Sequence, residues 1–94
     1  MAPLVRIPTV LRPAAGGNAT LTVDGVTIGE ILGKVVADFP AASAQVFNDD
    51  GTLHKFLNVY VNDDDVRYLG GLEAPVAPSD EVTLLPAVAG GATA

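Results

Sequence analysis

The sequence predicts an α+β domain in which a mixed sheet of four to five strands packs on one main helix. Three observations support this architecture. The chain has 94 residues, which suits a single domain. Apolar residues recur at alternate positions in several short runs, and one stretch changes to helical spacing.

The first two strands are predicted to form a hairpin. Residues 4–12 alternate between apolar and other positions, and Pro8 predicts an interruption or an edge, because proline donates no ladder hydrogen bond. Residues 13–18 are rich in turn formers, and residues 19–23 alternate again. Two alternating runs joined by a short glycine-rich loop are typical of a hairpin.

A helix is predicted to follow the hairpin. Its apolar face has the spacing i, i+3, i+4, i+7 and i+11, at Ile28, Ile31, Leu32, Val35 and Phe39. Thr27 and Glu30 match a capping box at its start, and Pro40 stops it.

Alternation then resumes in three further strands. Residues 53–62 are the clearest of them, residues 66–69 are a short one after an acidic turn, and residues 81–88 are the last. Side chains expected to point inward are Leu57, Val59, Val61, Val82 and Leu84. The resulting order β-β-α-β-β-β is that of the β-grasp, or ubiquitin-like, fold.

Charge and composition exclude several functions. The net charge of −6 argues against nucleic acid as a partner, and it favours a partner with a basic face. No apolar run approaches the length of a membrane span, and no signal peptide is recognisable. The absence of cysteine excludes thiol catalysis and favours the cytoplasm. Residues 63–65 are three adjacent aspartates without calcium-loop spacing, so we expect a solvated turn and no metal.

The stretch after the last strand has the features of a presented peptide end. We expect residues 1–87 to form the domain and residues 88–94 to form a flexible tail. Between Ala87 and Gly91 only Val88 is bulky, while Ala89 and Gly90 are small, and five extended residues reach about 17 Å. Such a tail can enter a narrow channel in a partner enzyme. A glycine pair near a chain end is also common in tails without a function, which remains the alternative on the glycines alone.

A presented carboxyl group needs activation by a partner. A carboxylate is a poor electrophile, so an ATP-using enzyme must first convert it to an acyl-adenylate. A sulfur nucleophile then displaces AMP and leaves a thiocarboxylate. The carrier itself needs no cysteine and no acid–base residue for this chemistry.

The chain resembles the MoaD/ThiS-type sulfur carriers, which are prokaryotic relatives of ubiquitin. The resemblance runs from about Leu4 to Gly91. It is carried by residues 80–91, DEVTLLPAVAGG, with an acidic turn, an apolar strand, a proline, small residues and two glycines. Residues 53–67 and 6–13 resemble the CysO-like subgroup, which supplies sulfur for cysteine biosynthesis.

The resemblance implies a carrier that other enzymes act on, and not an enzyme. An E1-like enzyme would adenylate Gly91 with ATP, and a sulfur donor would complete the thiocarboxylate. In the cysteine subgroup, a PLP-dependent cysteine synthase passes that sulfur to an aminoacrylate, and a zinc-dependent JAMM-type peptidase releases cysteine. Other branches supply molybdopterin synthase, as its small subunit, or thiamine formation. A ubiquitin-like binding or modifier module is the third alternative.

Two further site predictions accompany the resemblance. Mature carriers of the family end at the second glycine, whereas here Ala92 follows Gly91, so we expect a peptidase to cleave between these two residues. The predicted outward side chains Phe56, Tyr60 and Leu85 share one face of the sheet, and we expect this face to dock on partner enzymes.

Overall fold

The computed structural model describes residues 2–55 and 57–86. Its strands are β1 (Leu4–Arg6), β2 (Thr20–Thr22), β3 (Leu57–Val61), β4 (Asp64–Asp65) and β5 (Glu81–Pro86). Its helices are α1 (Ile28–Asp38) and the short α2 (Ser43–Val46), with 3₁₀ turns at Thr9–Ala15, Pro40–Ala42, Val66–Tyr68 and Gly71–Glu73. The predicted order of strands and main helix is confirmed. The predicted domain boundary after residue 87 lies outside the described residues.

The described strands form one mixed sheet in the order β2-β1-β5-β3-β4. β1 and β5 run parallel, with Val5 opposite Val82, and the other neighbours are antiparallel. The predicted β1–β2 hairpin is confirmed, with Val5 opposite Leu21. The final strand therefore lies in the middle of the sheet, although it is the last to be synthesised.

Helix α1 covers one face of this sheet. The Thr27 hydroxyl accepts a hydrogen bond from the Glu30 N–H at 3.2 Å, as the capping box predicts. The Glu30 carboxylate accepts from the N–H of Val26 at 2.8 Å, one residue earlier than predicted. Ile28, Ile31, Leu32 and Val35 are buried, as their spacing predicts, and Phe39 is partly buried.

The core lies between α1 and the inward side chains of the strands. These inward residues are Val5, Leu57, Val59, Val61, Val82 and Leu84, all buried. Among the described residues, no polar or charged side chain is buried in it. The core is consequently a single apolar layer between helix and sheet.

The predicted interruption of the first strand near Pro8 is confirmed, whereas its predicted continuation to Arg12 is wrong. β1 ends at Arg6, and residues 9–15 form a 3₁₀ helix that starts with a hydrogen bond from the Leu11 N–H to the Pro8 carbonyl, 2.9 Å long. Gly16 ends the turn at φ 71°, a conformation that favours glycine. Leu11 and Ala15 are buried, so burial selects a helical turn where the sequence alternates as in a strand.

The prediction of a strand at residues 66–69 is also wrong. The strand is β4, within the predicted acidic turn, and Val66 to Tyr68 form a 3₁₀ turn. The Asp65 carboxylate accepts a hydrogen bond from the N–H of Arg67 at 2.9 Å and thereby caps this turn. A local side chain–backbone bond thus replaces the strand.

The fold makes a stability prediction for α1. Leu32 is fully buried, so Leu32→Ala should lower the free energy of unfolding by about 2–5 kcal/mol in urea denaturation. Lys34→Ala on the exposed side of the same helix is the control and should change it by less than about 0.5 kcal/mol. Equal losses in the two variants would contradict the assigned helix face.

Candidate docking face and tail exit

β5 is the central strand of the sheet, so its last residue lies in the middle of one end of the sheet. Pro86, the last described residue, lies opposite Leu57 of β3, and β1 flanks the first half of β5 on the other side. Proline fixes its own φ and leaves no N–H to pair. β5 is therefore paired on both sides as far as Thr83 and by β3 alone from Leu84 to Pro86, the residue that precedes the predicted tail.

Several predicted site residues lie outside the described residues. They are Phe56 of the docking face, the tail residues Ala87, Val88, Ala89 and Gly90, the predicted adenylation site Gly91, and Ala92 of the processing site. Their roles stay predictions.

The two described residues of the predicted docking face are brought together. Tyr60 and Leu85 lie on the sheet face opposite α1, and they line one shallow depression of about 250 Å³ with Asn62, Asp63 and Thr83. The Leu85 side chain is 45% exposed, whereas its neighbour Leu84 is buried in the core. Tyr60 is half-buried. We call this surface, Tyr60, Thr83 and Leu85, the docking face after the role predicted for Tyr60 and Leu85.

Charged side chains flank the docking face on both sides. On the β1 side, the Arg6 Nε lies 2.9 Å from a Glu81 carboxylate oxygen. On the β4 side, the Arg67 guanidinium lies 2.8 Å from the Asp65 carboxylate and donates to the Asn58 side chain at 2.9 Å. Arg67 thereby pairs with the last aspartate of the predicted acidic turn. The docking face is thus a small, mainly apolar surface between two ion pairs.

Hydrogen bonds lower the pKa of three carboxyl groups around this face. The Arg67 side chain and backbone N–H lower the pKa of Asp65. The Ala77 N–H, and then the Asn62 amide, lower the pKa of Asp80, and the Arg6 side chain lowers the pKa of Glu81. Each donor favours the ionised carboxylate, so all three groups carry negative charge at neutral pH.

A second surface feature lies at the same sheet end as Pro86, on the side of the 3₁₀ helix and α2. It is a groove of about 190 Å³, lined by Val10, Leu11, Ala44, Gln45, His54, Leu57 and Pro86. We call it the tail-exit groove. The sequence does not predict this groove, because the alternation over residues 4–12 places Val10 and Leu11 in a strand. The available signal was the pair of glycines at 16 and 17, which can end a helical turn.

The comparison with protein families decides the family of this chain. Residues 5–91 match the ThiS family. The chain belongs to the ThiS family. The match spans the whole described fold except the first residues, and it includes the glycine pair, Gly90 and Gly91, at its end.

Relatives within and around the ThiS family have similar sequences and structures. The sulfur carrier protein CysO of Mycobacterium tuberculosis is 45% identical over 89 residues, which cover 93% of this chain and 96% of that protein. A chain in the crystal structure of the Amycolatopsis orientalis BexX/CysO complex superposes with a TM-score of 0.87 and 47% identity, covering 96% of this chain and all of that one. Small archaeal modifier protein 1 of Haloferax volcanii is 36% identical over 78 residues, 80% of this chain and 85% of that protein. This ThiS-family chain thus has the β-grasp fold of sulfur carriers and ubiquitin-like modifiers.

Two features are absent from the described part of this ThiS-family chain. No helix in residues 2–55 and 57–86 is long and apolar enough to cross a bilayer. Within the same ranges, no three His, Cys, Asp or Glu side chains are grouped so as to hold a metal ion.

The lowered pKa values of Asp65 and Asp80 predict how the titration of these groups and the stability of the fold depend on pH. In a carboxyl-carbon NMR titration, Asp65 and Asp80 should titrate below the usual aspartate pKa of about 3.9. Because their pKa is lower in the folded state, their stabilising effect is complete above about pH 4 and is lost as the pH falls through the folded pKa values.

Arg67→Ala is the specific test of the cause. It should raise the pKa of Asp65 part of the way toward the usual value, because the backbone N–H at position 67 still donates. Asp80 is the internal control, since its donors Ala77 and Asn62 are unchanged. An unchanged Asp65 titration in this variant would show that Arg67 is not the cause.

Proposed function

We propose that this protein is a sulfur carrier whose Gly91, once it is the last residue, is adenylated and converted to a thiocarboxylate. The observation that supports it most directly is that the ThiS-family match runs to Gly91 and stops there. The anchored end of β5 at Pro86 lies four residues before Gly90, so the domain can serve as a handle for a short presented end.

The proposed chemistry has two steps and takes place in a partner. A Gly91 carboxylate oxygen attacks the α-phosphorus of ATP, and pyrophosphate leaves. Sulfide sulfur from a donor then attacks the carbonyl carbon, the C–O bond to AMP breaks, and the thiocarboxylate remains. An E1-like enzyme supplies the ATP site and the acid–base groups, so the carrier contributes its fold, its docking face and the tail from Ala87 to Gly91.

Cysteine biosynthesis is the acceptor pathway we propose. The 45% identity to the CysO sulfur carrier supports it. The carrier would deliver sulfur to a PLP-dependent cysteine synthase, and a JAMM-type metallopeptidase would hydrolyse the adduct and restore the Gly91 carboxylate. Carriers for molybdopterin or thiamine would end in the same thiocarboxylate, so they differ from this proposal only in the acceptor enzyme. The solved BexX/CysO complex shows that a relative assembles with a second protein.

A modifier role is the second candidate. The specific observation in its favour is the 36% identity to small archaeal modifier protein 1. The two roles share the adenylate and differ in the nucleophile, which is sulfide for a carrier and a lysine amine for a modifier. Intact mass of the protein from its own cells distinguishes them, because a thiocarboxylate replaces one oxygen with sulfur and a conjugate adds a whole second protein.

The processing hypothesis predicts a difference between two chain lengths. In an ATP–pyrophosphate exchange assay with the activating enzyme of the same organism, a chain ending at Gly91 should support exchange. The 94-residue chain should not, because its Gly91 carbonyl forms the peptide bond to Ala92 and Gly91 therefore has no carboxylate. A chain ending at Ala92 is the matched control and should also be inactive. Equal exchange with all three chains would refute processing at Gly91.

The docking hypothesis predicts weaker partner binding when a charge enters the docking face. Leu85→Asp should raise the Kd for the activating enzyme by about tenfold or more, because a charged group would be desolvated in the interface. Leu69→Asp is the control, since Leu69 has a similar exposure of 39% but follows the 3₁₀ turn after β4. Both variants should keep their thermal midpoint. Unchanged binding by Leu85→Asp, or equal weakening by both, would count against this face.

A further inference from the structure

The tail-exit groove lies where any partner that reaches Gly91 must make contact. β1 and β5 are parallel, so the segment after β1, which contains Val10, lies at the sheet end where β5 reaches Pro86. Pro86 itself forms part of the groove. The groove and the start of the tail are therefore neighbours.

The length of the tail sets how close the partner must come. Five residues separate Pro86 from the end of Gly91, and a fully extended chain of five residues spans at most about 17 Å. A catalytic centre buried in a channel must lie within that distance of Pro86. The rim of the channel is then pressed against the surface around Pro86, which consists of the docking face on one side and the tail-exit groove on the other.

The groove presents an apolar side chain from a well-fixed element. Val10 is 63% exposed, although its neighbours Leu11 and Ala15 in the same 3₁₀ helix are buried. The helix is held at its end by a hydrogen bond of 2.6 Å from the Gly17 N–H to the Arg12 carbonyl. Leu57 and Ala44 supply further apolar surface in the groove. A volume of about 190 Å³ exceeds the roughly 150 Å³ cavity that holds a benzene ring in an engineered protein core.

We propose that the tail-exit groove receives an apolar side chain from the channel rim of the ATP-dependent enzyme that adenylates Gly91. This rests on the proposed carrier function and adds a second contact surface, on the opposite side of β5 from the docking face. Contact on both sides of β5 fixes the direction in which the tail enters the channel. Val10 is the residue of this chain that the partner side chain packs against.

The chain offers a matched control for this contact. Val26 is the same residue type with almost the same exposure, 66%. It follows β2, which runs antiparallel to β1, and therefore lies toward the sheet end opposite Pro86. A charge at Val26 changes the net charge as a charge at Val10 does, without touching the tail exit.

The test uses chains ending at Gly91 in the ATP–pyrophosphate exchange assay. Val10→Asp and Val10→Lys should each raise the KM for the carrier by about tenfold with little change in kcat, because the lost contact is made equally before and during the reaction. Val26→Asp and Val26→Lys should leave KM within about twofold of the unsubstituted chain. Thermal midpoints and amide NMR spectra of all four variants check that the fold is retained.

The outcomes separate this inference from the proposed function. If the unsubstituted chain ending at Gly91 supports no exchange, the carrier function itself fails. If it supports exchange and the Val10 variants match it, or match the Val26 variants, the groove contact is overturned while the function stands. Opposite effects of Asp and Lys at Val10 would also overturn it, since they would indicate a charge interaction instead of apolar packing.

Discussion

The parallel pairing of β1 with β5 is the constraint on which the rest of the structure depends. It brings Val5 beside Val82, residues from opposite ends of the chain, and places the last strand between β1 and β3. Such a contact is entropically costly to form, because a long segment of chain must be closed into a loop. The apolar core offsets that cost: Val5, Val82 and Leu84 are almost completely buried beneath α1. The last strand is consequently paired on both sides as far as Thr83, and β3 holds its remaining residues up to Pro86.

This central position explains why two different surfaces surround the tail exit. Successive side chains of β5 point to opposite faces, so Leu84 lies in the core and Leu85 lies on the docking face. On the helix side, the 3₁₀ helix after β1 closes over the end of the core and leaves the tail-exit groove beside Pro86. One strand therefore contributes to the core of the domain and to both exposed surfaces beside Pro86.

The acidic end of the sheet is structurally separate from the tail exit. Asn62, at φ 56°, donates from its amide to the Asp80 carboxylate at 3.1 Å and accepts from the Glu81 N–H at 3.1 Å. These bonds join the β3–β4 turn to the start of β5, at the sheet end opposite Pro86. The Asp80 carboxylate is thereby held in place at the sheet end opposite Pro86.

The amino-acid sequence is sufficient to predict the order of the elements along the chain, the helix face and its cap, and the inward positions of β3 and β5. These features depend on local spacing and on hydrogen bonds between residues three or four apart, which a single stretch of sequence contains. It also determined the family, through the stretch from Asp80 to Gly91. Long-range packing is the reason that residues 9–15 form a 3₁₀ helix, because burial of Leu11 overrides the local alternation. The position of β4 at 64–65 instead depends on a local bond, in which the Asp65 carboxylate caps the following 3₁₀ turn. The tail-exit groove likewise depends on long-range packing, because it forms only where β3, β5, α2 and the 3₁₀ helix come together.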